Sequence, residues 1–480
     1  MATDTSGIEK LYIAGRWVEG SGELTVTDPG TGEVVAKVAT VGRDETRSAL
    51  ETAREAWPAW RKTTGRDRGD ILLRAASVMK DRLEEIAVII TRENGKPLSQ
   101  SRGEVNVAID HFRWFAEEAR RGYGRIVPPQ ADGKRHMILK EPVGVVAAIS
   151  PWNFPLVLSA RKVAPALAAG CPVVLRPSSK SPLSALAMAR ALDEAGIPQG
   201  VFQLVLGPAS EIVDEFLENP ICRKLTFTGS TKVGKDLIRK SATTVTNLSL
   251  ELGGHAPIIV FGDADIDAAL DGVLITKFRN SGQSCIASNR TYVERSIYPE
   301  FLQRLAEKTR GLKVGYGLED GVDVGPLIDE RALKSALNQV KDAIDRGAKL
   351  VCGGKALDRQ GVYLEPTVLA DVPSDSVCMM EESFAPLAPV VPFDTEEEVI
   401  AAANDTRYGL AAYVFTRDLA RGFRMSEALE AGSVGLNDAV PSTSNCPFGG
   451  MKESGSGREL GIEGMDAFME TKHVSIGGIS

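Results

Sequence analysis

The sequence predicts an α/β fold: a doubly wound, Rossmann-like unit, a second α/β unit after it, and a β-hairpin arm distinct from both. Three observations carry that expectation. From residue 143 onward the pattern strand, loop, helix repeats, which argues for parallel βαβ units. At 480 residues the chain is longer than a single hydrophobic core grows, so more than one domain is required. Residues 123–141 interrupt the alternation with a Pro-Pro corner and an Ala-Asp-Gly turn between alternating segments, which reads as an extended hairpin.

In order, the chain opens on two short alternating segments, 10–18 and 25–38, read as strands, and then on 44–61, where Ala and Leu recur at helical spacing. After the hairpin come a strand at 143–150, a helix from about 159 to 169, a strand at 173–175 and a helix at 184–195. A strand at 202–205, a helix at 210–218, a strand at 224–228, another helix and a strand-like run at 246–250 complete the first series. A second alternating series occupies 257–440 and includes a helix at 266–278 that leads straight to a cysteine loop. The expected division is residues 1–121 with 141–252 as one domain, 253–450 as the second, and 122–140 with 459–480 as the arm.

Bulk properties exclude several classes of function. Apolar residues at 43% and charged residues at 25% are ordinary for a globular protein. The net charge of −8 and pI near 5.4 give no electrostatic reason to bind nucleic acid or an anionic membrane. The cysteines at 171, 222, 285, 352, 378 and 446 form no CxxC pair and no metal-ligand spacing, so reduced thiols and no metal are expected. The N-terminus MATDTSGIEKLYIAG has neither a basic n-region nor an apolar core, and the apolar stretch at 163–175 is broken by Pro165, Gly170 and Pro172. A cytoplasmic protein is expected.

The chemistry concentrates in three segments. Asn280-Ser281-Gly282-Gln283-Ser284-Cys285 offers a thiol among small residues, which would let substrate and cofactor approach the backbone. Glu251-Leu252-Gly253-Gly254 puts a carboxylate at the end of a strand-like run. Pro151-Trp152-Asn153-Phe154-Pro155 restricts the backbone on both sides of an amide and so fixes its direction. A thiol can attack a carbonyl, an amide N–H can hold the negative oxygen that develops, and a carboxylate can activate water. Separately, residues 225–234 read as a strand, a tight turn at Gly229 and a helix capped by Ser230, where a pyrophosphate would meet the positive end of the helix.

These motifs, in this order and with these flanks, resemble the aldehyde dehydrogenase superfamily over nearly the whole chain. The resemblance implies NAD(P)-dependent oxidation of an aldehyde to an acid through a cysteine thiohemiacetal and a thioacyl intermediate. It implies Cys285 as nucleophile, Glu251 as base, Asn153 with the Cys285 N–H as oxyanion donors, and Lys162 in the proton path and in cofactor positioning. On the cofactor it sets Trp152, Gly229, Ser230, Glu382 and Phe384, the last two at the nicotinamide ribose and ring, with Ala385 where the family usually has glycine. The segment Arg176-Pro177-Ser178-Ser179-Lys180 departs from the Lys-Pro-x-Glu of many NAD-using members. Ser179 removes a carboxylate that would repel a 2′-phosphate, and Arg176 with Lys180 can neutralise one, so NADP is expected to be preferred, with NAD possible.

The KFRNSGQSC segment and Arg161 resemble succinate-semialdehyde dehydrogenases and relatives acting on other ω-carboxy aldehydes. That resemblance implies a carboxylate clamp of Arg161, Arg279 and Ser442, and leaves glutarate or 2-oxoglutarate semialdehyde, or a general aldehyde, as alternatives. Transfer of the acyl group to phosphate or coenzyme A is disfavoured by Glu251. Ala287 excludes the redox disulfide of relatives with a second cysteine at that position. In the family the arm and the C-terminal strand near 473–476 build the subunit interface, so a homodimer or homotetramer is expected.

Overall fold

The computed structural model describes residues 7–478, so the outer ends of the expected first domain and arm, 1–6 and 479–480, lie outside it. Two large sheets organise the chain. The first has six strands in the order Phe202–Leu204, Val173–Arg176, Val145–Ile149, Cys222–Thr228, Asn247–Glu251 and Gly455–Ser456. All neighbours are parallel except the short last strand, which runs antiparallel to Asn247–Glu251. Each strand from Val145–Ile149 to Cys222–Thr228 is entirely or almost entirely buried, because helices cover both faces, and this explains their continuous Val, Ala, Leu and Ile runs. From Val145–Ile149 the chain first winds outward one way, to Val173–Arg176, and then returns to Cys222–Thr228 on the other side. That reversal opens a crevice at the strands' C-terminal ends, the ordinary ligand position of a doubly wound sheet.

The second sheet has seven strands in the order Lys349–Cys352, Thr367–Ala370, Leu387–Phe393, Ser288–Glu294, Ala256–Val260, Ala411–Phe415 and Ser433–Leu436. Only Lys349–Cys352, at the edge, is antiparallel to its neighbour. The helix Ile266–Phe278 packs against this sheet and is capped by Asp265, whose side chain accepts from the Ala268 N–H. Its bounds are those the periodicity predicts.

The arm is a three-stranded antiparallel sheet of Met469–Gly477, Lys134–Pro142 and Arg125–Val127. The C-terminal strand is longer than the expected 473–476 because every residue from Met469 to Gly477 finds a partner between Pro142 and Lys134.

Near the N-terminus two expectations are corrected. Residues 10–18 form two strands, Leu11–Ile13 and Arg16–Val18, because Ala14 and Gly15 both take positive φ, 54° and 70°, and reverse the chain. Residues 25–38 likewise divide into Gly22–Thr27 and Val34–Thr40, paired antiparallel across a Pro29-Gly30-Thr31-Gly32 turn. The mixed N-terminal lobe proves mostly helical after that: Arg43–Trp60, Gly65–Asp81, Leu83–Asn94 and Leu98–Glu118 follow one another with few intervening residues. The helix expected from 159 begins a turn earlier, at Pro155, since proline is well suited to the first helical position. Among the described residues no helix is long and apolar enough to cross a membrane, and no cluster of three or more His, Cys, Asp or Glu is arranged to hold a metal.

Candidate functional site

Asn153, Glu251 and Cys285 arrive from different elements. Asn153 follows the strand Val145–Ile149 at the reversal point, Glu251 ends the strand Asn247–Glu251, and Cys285 lies between the helix Ile266–Phe278 and the strand Ser288–Glu294. The first two follow or end strands of one sheet and the third precedes a strand of the other, and the Asn153 side chain meets the thiol loop across that junction.

The loop before Cys285 is held in an unusual backbone. Asn280, Ser281 and Gly282 take φ of 51°, 57° and 72°, three successive left-handed residues. A Cβ on Gly282 would fall 2.1 Å from the Ala385 carbonyl oxygen, so glycine is required by the neighbouring backbone rather than by the approach of a ligand. Side chains fix the rest. Asn280 Nδ2 donates to the carbonyls of Asn153 at 2.8 Å and Gln283 at 3.2 Å, Ser281 Oγ donates to Gly325 O at 2.8 Å, and Gln283 Oε1 accepts from the Ile328 N–H at 2.8 Å. Asn280 is thus a bolt between the amide loop and the thiol loop, a role invisible in the motif.

The amide of Asn153 is aimed at the thiol loop, with Nδ2 3.1 Å from the Gln283 carbonyl. The Asn153 backbone carbonyl accepts from Lys96 Nζ at 2.7 Å as well as from Asn280. Lys96 is fully buried and paired with Glu104 at 2.5 Å, and the other oxygen of Glu104 accepts from the Leu156 and Val157 N–H groups at the start of the helix Pro155–Ala169. Neither Lys96 nor Glu104 carries a sequence signal; both act through the positions of other atoms.

That helix carries Arg161 and Lys162 on adjacent positions, about a quarter turn apart, so they serve different sides. Arg161 donates through Nη2 to Ser442 Oγ at 3.0 Å and through Nε to His111 Nε2 at 3.2 Å, and its guanidinium lies 4.7 Å from the centre of the Phe448 ring. Lys162 instead pairs with Glu459 at 2.6 Å and reaches Thr226 Oγ1 at 3.3 Å. Glu459 is another participant that the motifs do not disclose. Arg279 sits over the Phe154 ring at 5.5 Å, and neither it nor Arg161 forms an ion pair among the described residues.

Electrostatics divide the groups. Burial drives Glu251 well above an ordinary glutamate, the Glu459 charge adds to that, and Lys162, Arg161 and Arg458 oppose it. Glu251 Oε2 is buried with no hydrogen-bond partner, and its other oxygen lies 2.8 Å from where a Cβ on Gly449 would stand. Burial also pushes the Cys285 thiol up to about 12, helped by Glu382 and Glu251 and resisted by Arg161. At neutral pH the resting group is therefore a thiol, and its activation needs a base or a bound cation.

The crevice of the first sheet tests the dinucleotide expectation. Ser230 caps the helix Thr231–Ser241, accepting from the Val233 N–H at 3.4 Å, and the Gly229 N–H donates to the Glu251 carbonyl at 3.0 Å. Arg176 Nε and Thr228 Oγ1, at the C-terminal ends of strands on either side of Val145–Ile149, are buried without partners. Trp152 and Phe384 meet edge to face at 5.5 Å, and Glu382, pushed up to about 8 by burial, accepts from the Gly254 N–H at 3.3 Å. Unpartnered polar atoms beside a capped helix start fit an anionic ligand with hydroxyls. Ser179 lies on an exposed turn beside them, whereas Lys180 pairs with Asp329 at 2.5 Å and sits 5.5 Å from the Trp152 ring centre, so it is less free than the sequence suggests.

Known proteins resemble this chain over nearly its whole length. The aldehyde dehydrogenase family model matches residues 17–474. A glutarate-semialdehyde dehydrogenase of Pseudomonas aeruginosa is 47% identical over 473 residues, 98% of each chain. An Escherichia coli succinate-semialdehyde dehydrogenase, whose name carries NADP(+), is 46% identical over 471 residues, again 98% of each. The crystal structure of an NADP-dependent E. coli enzyme superimposes with a TM-score of 0.98 at 45% identity, covering 99% of this chain and 100% of the other.

Proposed function

The chain belongs to the aldehyde dehydrogenase family, and from that membership we propose that it oxidises an ω-carboxy aldehyde, succinate semialdehyde first, to the dicarboxylic acid with NADP. The observation that carries the substrate is the pair Arg161 and Arg279. Burying a guanidinium without a carboxylate is costly, and these two, with the Ser442 hydroxyl on Arg161, have the donors for a distal carboxylate.

In this reading Cys285 attacks the aldehyde carbon, and the Asn153 amide with the Cys285 N–H holds the resulting oxyanion; one such donor contributes about 2.7–4 kcal/mol to the transition state. Glu251, desolvated and basic, takes the thiol proton and later the proton of the hydrolytic water. Lys162 and Glu459 stand behind it and provide an onward path for that proton. A bound nicotinamide supplies the hydride acceptor that turns the thiol adduct into a thioester. Trp152, Gly229, Ser230, Glu382 and Phe384 would hold this cofactor, with Arg176 and Ser179 at the adenosine end. The absence of a carboxylate at 179 and the unpartnered Arg176 Nε support NADP, with NAD accepted.

The same proposal includes the division into residues 1–121 with 141–252 for the cofactor, 253–450 for the thiol, and 122–140 with 459–480 for assembly into a homodimer or homotetramer. Six unpaired cysteines support residence in a reducing compartment, the cytoplasm.

The test is kcat/KM for succinate semialdehyde, glutarate semialdehyde and butanal, each with NADP and NAD. A preference for acid-tailed aldehydes with NADP is expected, and Arg279→Ala is expected to raise KM for succinate semialdehyde by about tenfold or more while leaving butanal nearly unchanged. Equal effects on both aldehydes would remove the clamp from the account.

A further inference from the structure

Lys277 is fully buried in the last turn of the helix Ile266–Phe278, one turn before the thiol loop begins. Its partners are neutral: Nζ donates to Asn289 Oδ1 at 2.6 Å and to Ser383 Oγ at 2.8 Å. Ser383 in turn donates to Asn289 Oδ1 at 2.9 Å, closing a triangle of three side chains from three segments. An apolar side chain would fill the same space without desolvating an ammonium, whose burial brings its pKa down to about 7. The amine is held there by what it joins.

Ser383 stands between Glu382 and Phe384, the two residues assigned above to the nicotinamide ribose and ring. Residues 382–384 belong to no helix or strand, and Phe384 has a left-handed φ of 46°, so neighbouring secondary structure does not fix them. Among the described residues Glu382 has one hydrogen bond of its own, 3.3 Å from the Gly254 N–H. Asn289 lies on the strand that leaves the thiol loop, and Lys277 on the helix that enters it. The triangle therefore ties the nicotinamide-facing segment to both ends of the segment carrying Cys285.

We propose that Lys277 is a positioning residue that sets the distance between the nicotinamide and Cys285 by anchoring Ser383, and hence Glu382 and Phe384, to the frame of the thiol loop. This rests on the cofactor reading above. A displacement of the nicotinamide slows hydride transfer, while attack by the thiol on an activated ester needs no nicotinamide.

The experiment compares two activities of the intact protein: the rate of NADPH appearance in the first turnover with succinate semialdehyde, and cofactor-free hydrolysis of p-nitrophenyl acetate. In Lys277→Met the first is expected to fall about ten- to a hundredfold, while ester hydrolysis stays within about twofold of wild type. Ser383→Ala, which removes far less buried volume, is expected to show the same split to a smaller degree, and Lys277→Arg to recover part of the hydride-transfer rate. Parallel loss of both activities in Lys277→Met and Ser383→Ala overturns the proposal in favour of a general packing role, as does an unchanged first-turnover rate. If wild type forms no NADPH, or its ester hydrolysis survives Cys285→Ser, the reading of the site fails and the proposal with it.

Discussion

The carboxylate clamp proposed for Arg161 requires its planar fork to be held at one angle, and a chain of hydrogen bonds stands behind it. Because Arg161 Nε donates to His111 Nε2, the proton of the imidazole sits on Nδ1 and is donated to Ser444 Oγ at 2.9 Å. The Ser444 hydroxyl then donates to Asp110. Burial and the Arg161 charge keep His111 well below an ordinary histidine, so the ring stays neutral and the direction of the chain does not invert at physiological pH. His111→Phe is expected to raise KM for succinate semialdehyde by about tenfold, the worth of one charge-assisted hydrogen bond, with little change for butanal; steady-state kinetics on the pair would expose an equal loss on both and so remove the relay. Glu251 gives a second prediction at this scale. Its raised pKa means that below the midpoint it is protonated and cannot accept from water, so the hydrolytic step should rise with pH to a midpoint well above that of ordinary glutamate. In Glu251→Gln that limb should vanish and the first-turnover burst of NADPH should slow, because the same carboxylate takes the thiol proton; a burst at the wild-type rate would confine Glu251 to the hydrolytic step. Cys285, Glu251 and Asn153 were legible as residues because each sits in a dense local motif. His111 and Glu459 were not, since each is a single side chain in an unremarkable segment whose partner lies far away in sequence.

The helix Pro155–Ala169 carries the site at the level of elements, because all fifteen of its residues are buried and its first turn sets the Asn153 loop. Glu104 satisfies two of its free N–H groups and, through Lys96, the Asn153 carbonyl. Glu104→Gln would leave a buried ammonium without its counter-charge, an expected loss of about 3–5 kcal/mol in urea unfolding. Replacing both members, Glu104→Met with Lys96→Met, is expected to recover only part of that stability: the unpaired charge is gone, but the Leu156 and Val157 N–H groups have lost their acceptor. It should not recover kcat, because the anchor on Asn153 is still missing; full recovery of both would show that the pair serves folding only. The alternating series of strands and helices was legible from hydrophobic periodicity alone, and the bounds of Ile266–Phe278 were matched to the residue. The turns at Ala14-Gly15 and around Gly32 were missed because a two-strand hairpin with a short turn preserves the alternation that a single long strand would show. The helices Gly65–Asp81, Leu83–Asn94 and Leu98–Glu118 are separated by only a few residues, which blurs their boundaries in any window of helical length.

Over the whole molecule, every group proposed for the chemistry comes from one chain, with the amide and base from the first sheet and the thiol from the second. The arm has another logic. Alternation along its strands puts Ile126, Met137 and Val474 in one row across three strands, with Leu139 and Ile476 on the same face, while His136, Lys134 and Ser475 occupy the other. Ile126 is 79% exposed, and an apolar row on a narrow sheet with open edges favours being covered by protein. If a second copy covers it, an aspartate in the middle of the row buries an unpaired charge at the contact and costs several kcal/mol. Met137→Asp is therefore expected to sediment as a smaller species than wild type at micromolar concentration, with the Cys285-dependent ester hydrolysis of each subunit largely retained. A variant that sediments as wild type does would take the row out of the interface and leave it as packing within the arm; a smaller species without ester hydrolysis would mean that the neighbouring subunit supports the site.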